Sequence, residues 1–132
     1  MKTFEWSMAT IKPQVLGFIL IFIPAFLSGQ TTTADLTGKW ERTVQGITMS
    51  IVFDETGGYQ VEFTGDGITD VTGTCTLEKD RITFQDTSGM AAPEPGIYSF
   101  KILDGKITFT IVDDPSQGRS ALLPGTWSLK KP

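Results

Sequence analysis

The chain has 132 residues, 39% of them apolar and 20% charged, with one cysteine, no histidine and a formal charge of −4. That length suits one ordinary domain, and the apolar content excludes a disordered chain. Without histidine there is no Ser-His-Asp or Cys-His catalysis and no common zinc site, and one cysteine closes no internal disulfide. The acidic balance argues against nonspecific nucleic-acid binding.

The N-terminal stretch reads as an address. Residues 15–27 (VLGFILIFIPAFL) are uncharged, preceded by Lys2 and Lys12 and followed by Ser28 and Gly29. A basic start, a short apolar core and small residues at its end describe a secretory signal peptide. A spanning helix needs about 20 apolar residues, and Pro24 interrupts this run. The expectation is a signal peptide over residues 1–29, cleaved after Gly29, with Met8 an alternative start, and a secreted or periplasmic domain over residues 30–132. Losing Lys2, Lys12 and Glu5 leaves the remainder one unit more acidic than the whole chain.

From Gly38 onward the apolar period is two. GKWERTV opens the series with Trp40. ITMSIVFD then sets Ile47, Met49, Ile51 and Phe53 on one face, and YQVEFT sets Tyr59, Val61 and Phe63. VTGTCTL contributes Val71, Cys75 and Leu77, and RITFQ contributes Ile82 and Phe84. IYSFKI, KITFTIV and TWSLK supply Tyr98, Phe100 and Ile102, then Ile107, Phe109 and Ile111, and finally Trp127. Such alternation in β-branched and aromatic residues predicts half-buried strands. Turn residues separate the runs: Glu55-Thr56-Gly57-Gly58, Gly65-Asp66-Gly67, Glu78-Lys79-Asp80 and Asp104-Gly105. Two connections are longer. Residues 88–95 (SGMAAPEP) are proline-rich and are expected not to pair, and residues 114–125 have room for a helical turn around Gln117.

Eight runs joined mainly by short turns predict sequential antiparallel pairing. Closing that sheet removes both edges and turns the apolar face inward, so the expected fold is all-β, an eight-stranded antiparallel up-and-down barrel. A two-sheet sandwich is the alternative architecture.

Gly38-Lys39-Trp40, following Asp35-Leu36-Thr37 and opening an eight-strand series, resembles the start of a small lipocalin-like protein of the calycin superfamily. The resemblance spans residues 36–131. It implies a carrier of a small apolar ligand, with Trp40 closing one barrel end beneath an arginine, for which Arg119 is the candidate. The T-D-Y motif and long C-terminal helix of that family are missing.

Candidate ligand contacts are Tyr59, Phe63, Phe84, Tyr98, Phe100 and Phe109, with Trp40, Phe53 and Trp127 also facing inward. The interior is expected to be mostly filled by these rings, with room at one end. Any ligand should be small, uncharged or weakly anionic, held by aromatic contact and oriented by the two tyrosine hydroxyls. Cys75 reads as a small core hydrophobe, and Glu62 as solvent-facing. Asp113 and Asp114 read as a turn or cap, since no D-x-D-x-D-G calcium spacing is present. The expectation is a monomer with no cofactor, no metal and no nucleic-acid partner. It has no membrane attachment after cleavage and is a binding module rather than an enzyme. The other two readings are an isomerase or cyclase on the same barrel and a filled barrel acting through its surface.

Overall fold

The computed structural model describes residues 31–131, so the expected signal peptide lies outside the described residues. A short helix, α1 (Thr33–Leu36), leads into β1 (Gly38–Val44), β2 (Ile47–Phe53), β3 (Gly58–Glu62), β4 (Val71–Glu78) and β5 (Arg81–Gly89). β6 (Gly96–Leu103), β7 (Lys106–Asp113), α2 (Gln117–Leu122) and β8 (Gly125–Lys130) complete the order. Each strand pairs antiparallel with the next, and β8 returns to β1, giving a closed eight-stranded up-and-down barrel. The strands fall on the runs of period two, and inward positions alternate with solvent through most of them. Ile47 at the start of β2 and Ile111 near the end of β7, expected to face inward, are exposed, and Ser50 of β2 is buried.

The turns hold this register. Gln45-Gly46 and Asp104-Gly105 adopt positive φ at both positions, the backbone of a tight two-residue hairpin whose twist matches its strands. In the Asp54–Gly57 turn, Asp54 accepts hydrogen bonds from the Thr56 hydroxyl and from the Thr56 and Gly58 amides, each at 2.8 Å, and these hold its carboxyl below its usual range.

One boundary differs from expectation. Ser88 and Gly89 extend β5 and pair with Thr72 and Val71, although the stretch from Ser88 was expected to be unpaired. The pairing continues across a register shift between Thr72 and Gly73, where Thr87 is the extra residue on β5.

The up-and-down path places α1 and the β2–β3, β4–β5 and β6–β7 turns at one end. The β1–β2, β3–β4, β5–β6 and β7–β8 connections gather at the other. The α1 end is filled. Leu36 is fully buried, Trp40 is 2% exposed, and the Trp40 indole N–H donates to the Leu36 carbonyl at 2.8 Å. Above them Phe84 is a hub: Tyr59, Tyr98 and Phe109 meet it edge-on, with centroids 5.4, 5.7 and 5.6 Å away. Edge-to-face geometry adds about 0.5–1.5 kcal/mol per pair beyond burial, which favours one fixed arrangement of these rings. Cys75 is buried in the same core, and loss of hydration pushes its thiol up to about 11, so it stays a protonated hydrophobe.

Candidate functional site

The opposite end holds a cavity of about 290 Å³. Met49, Ile51, Val61, Phe63, Val71 and Trp127 form much of its wall, with Tyr59 and Phe84 at its floor side. Met90 and Ala92 of the β5–β6 loop and Leu122 and Leu123 of the β7–β8 connection complete it toward the mouth. Asp86 and Arg119 supply the charge on this lining.

Arg119 organises the polar side. Its Nε and Nη2 donate to the two oxygens of Asp114, at 2.7 and 2.8 Å, a bidentate pair. Its Nη1 donates to Asp86 Oδ2 at 3.1 Å, and Nη2 also donates to the Glu94 carbonyl at 2.6 Å. The hydroxyl of Tyr59 donates to Asp86 Oδ1 at 2.6 Å, and that of Tyr98 to Asp114 Oδ2 at 2.5 Å. Backbone amides complete the set: Ala92 donates to Asp86 Oδ2 and Ser116 to Asp114 Oδ1, each at 2.9 Å. The side chains of Arg119, Asp86 and Asp114 are 9%, 7% and 0% exposed, so this is a buried network and not a surface ion pair.

The electrostatics follow from those contacts. Burial opposes ionisation of Asp114, but the hydrogen bonds from Arg119, Tyr98 and Ser116 outweigh it, and the carboxyl lies below its usual range. Burial likewise works against the Arg119 charge, and the two aspartates more than restore it. Tyr59 and Tyr98 are both pushed upward, by burial first and then by the carboxylates they serve, so both remain protonated donors. A carboxyl depressed in the fold stabilises it fully above its unfolded value, near 4, and loses that contribution as pH falls through the folded value. Acid unfolding followed by tryptophan fluorescence should therefore show stability dropping below about pH 4, and Asp114→Asn should flatten that limb.

Local structure explains how these groups meet. Asp86 continues the inward series Ile82, Phe84 on β5. Asp114 follows β7, Ser116 caps α2 by accepting the Arg119 amide at 3.1 Å, and the helix then carries the Arg119 side chain back over Asp114. Two glycines clear the ground. A Cβ at Gly73, directly across from Tyr59, would lie 2.5 Å from the Tyr59 hydroxyl, and one at Gly96 would lie 2.5 Å from Asp114 Oδ2 and 2.8 Å from Arg119 Nε. At its other end α2 is held by Arg42, whose Nη1 donates to the Leu122 carbonyl at 3.1 Å and to that of Pro124. The Arg42 guanidinium also lies over Trp127, 5.8 Å from the ring centroid.

Of the residues named from sequence, Tyr59, Phe63 and Phe84 reach the cavity wall. Tyr98, Phe100 and Phe109 lie in the core cluster. Trp40 is buried at the far end. Arg119 does not cover it: it sits on α2 at the mouth, occupied by Asp86 and Asp114, and the arginine over an indole is Arg42 over Trp127. The tyrosine hydroxyls, expected to orient a ligand, are committed to the aspartates. Asp86 was missed, although its parity with Ile82 and Phe84 points it inward. Asp114, expected as a turn or cap residue, does accept the Ser116 amide but is also buried, and its burial has no signal in the alternation.

No protein-family model matches the chain, and neither a curated protein nor a solved structure matches it at a significant level.

Proposed function

We propose that this protein is an exported, monomeric binding module of the lipocalin kind, which holds one small, mainly apolar molecule at the mouth end of its barrel. The observation that carries this reading is the cavity of about 290 Å³, walled largely by aliphatic and aromatic side chains and covered in part by α2. Concave, mainly apolar sites with a few placed polar groups are the usual form of small-molecule sites, and barrel mouths are a common place for them. The polar groups support holding a molecule rather than transforming it. The carboxylates, the guanidinium and both hydroxyls bond chiefly to one another, which fixes the wall and presents no poised acid or base. Export rests on the apolar run before the barrel, and the intact mass of secreted protein lacking residues 1–29 is its check.

Titration with 6-propionyl-2-(dimethylamino)naphthalene, an uncharged two-ring dye that brightens in apolar surroundings, tests the binding reading. Saturable enhancement at one dye per chain is the expected result, with a Kd in the micromolar range. Val61→Phe adds a ring to the cavity wall and should weaken the dye by at least tenfold while leaving the cooperative unfolding transition in place. Absence of saturable enhancement would overturn the reading.

A further inference from the structure

The charge of the cavity wall selects among apolar ligands. Asp86 and Arg119 face the cavity, and Asp114 stands behind Arg119 with its side chain fully buried. Two carboxylates share one guanidinium, so the cluster carries one net negative charge, with Asp114 held ionised by its donors. Arg119 spends its Nε and Nη2 on Asp114 and the Glu94 carbonyl and directs Nη1 at Asp86. Four of its five N–H groups are thus engaged, and a carboxylate reaching the remaining Nη1 N–H would sit beside two buried carboxylates, where like-charge repulsion is weakly screened.

Asp86 has acceptor capacity to spare. An ionised carboxylate has about four lone-pair positions. The Tyr59 hydroxyl takes one on Oδ1, and the Ala92 amide and Arg119 take those on Oδ2. Oδ1 therefore keeps capacity for one more hydrogen bond, and Asp86 is one of the residues that line the cavity. Size is set by comparison: an apolar cavity of about 150 Å³ holds one benzene ring. A space of about 290 Å³ accordingly takes a two-ring molecule.

We infer that the cavity is specific for uncharged apolar molecules of about two rings that bear a hydroxyl or similar donor for Asp86 Oδ1, and that it rejects carboxylates of the same shape. This rests on the binding reading above and narrows it, since anionic ligands such as fatty acids are thereby disfavoured.

Naphthalene, 2-naphthalenemethanol and 2-naphthoate, each competing with the uncharged dye at pH 7, test the inference. They share the ring system and differ in the polar group. The alcohol is expected to bind at least tenfold more tightly than the naphthoate and more tightly than naphthalene. In Asp86→Asn, which removes the charge and keeps the shape, the gap between alcohol and naphthoate should close by about tenfold. A urea unfolding curve establishes that this variant is folded. Naphthoate binding to the unaltered protein as tightly as the alcohol would overturn the inference and leave the binding reading intact. Failure of naphthalene itself, and of the dye, to bind would remove both.

Discussion

Arg119→Met is expected to destabilise the protein by about 3–5 kcal/mol, the loss that follows when one partner of a buried ion network is removed. An exposed pair would contribute only about 0.2–1 kcal/mol, so burial decides which figure applies. Here the Arg119 side chain is 9% exposed, and its partners Asp86 and Asp114 are 7% and 0%. Methionine fills much of the space but leaves two carboxylates facing each other without a cation. Since small domains are stable by about 5–15 kcal/mol, the variant should lose a large fraction of that margin. Urea denaturation of the two proteins at pH 7 measures it. The triple variant Arg119→Met, Asp86→Asn, Asp114→Asn should recover part of the loss, because neutral amides need no cation. A cost below about 1 kcal/mol for the single variant would show that water reaches the cluster.

Trp40→Ala should cost about 3–5 kcal/mol, as truncation of a fully buried aromatic does, through lost transfer energy and the cavity left behind. Trp40 is 2% exposed, packs in the core with the fully buried Leu36, and lies on the strand that closes the barrel, where it pairs with Ile51 of β2 and Leu129 of β8. In a domain of about 100 residues such a loss lowers the Tm by more than about 10 °C. Trp40→Phe separates packing from hydrogen bonding. It keeps most of the ring but strands the Leu36 carbonyl, which accepts the indole N–H at 2.8 Å, and should cost about 1–3 kcal/mol. An unchanged Tm in Trp40→Ala would mean that the α1 end is not a structural plug.

These two effects sit at opposite ends of the barrel, and they were unequally legible. Trp40 announces itself in sequence through its place at the head of the first alternating run. The arginine does not. With Arg119 on α2 between two strands, strand alternation says nothing of which way it points, and the pairing suggested for it with Trp40 is replaced by its two aspartates. The helical turn around Gln117 was readable, yet its task was not. It swings Arg119 over Asp114, while Arg42 holds its far end.

Eight strands and most of their inward faces were legible in the chain, with a two-sheet sandwich left as the alternative to closure and Ile47 and Ile111 set inside although they are exposed. Period two is a local property of the chain, and short turns leave sequential antiparallel pairing as the economical way to bury one face and both edges. The sequence by itself also determined the aromatic filling, because parity alone puts Tyr59, Phe84, Tyr98 and Phe109 inside. Tertiary structure alone decided where the filling stops. The register shifts at Thr72/Gly73 and Ile97/Tyr98 break parity near the mouth, so Asp114 is buried there by geometry that no periodicity encodes. Charge compensation is a property of three-dimensional neighbours: Asp86 comes from β5, Asp114 from the segment after β7 and Arg119 from α2, and only their meeting makes burial of each one tolerable.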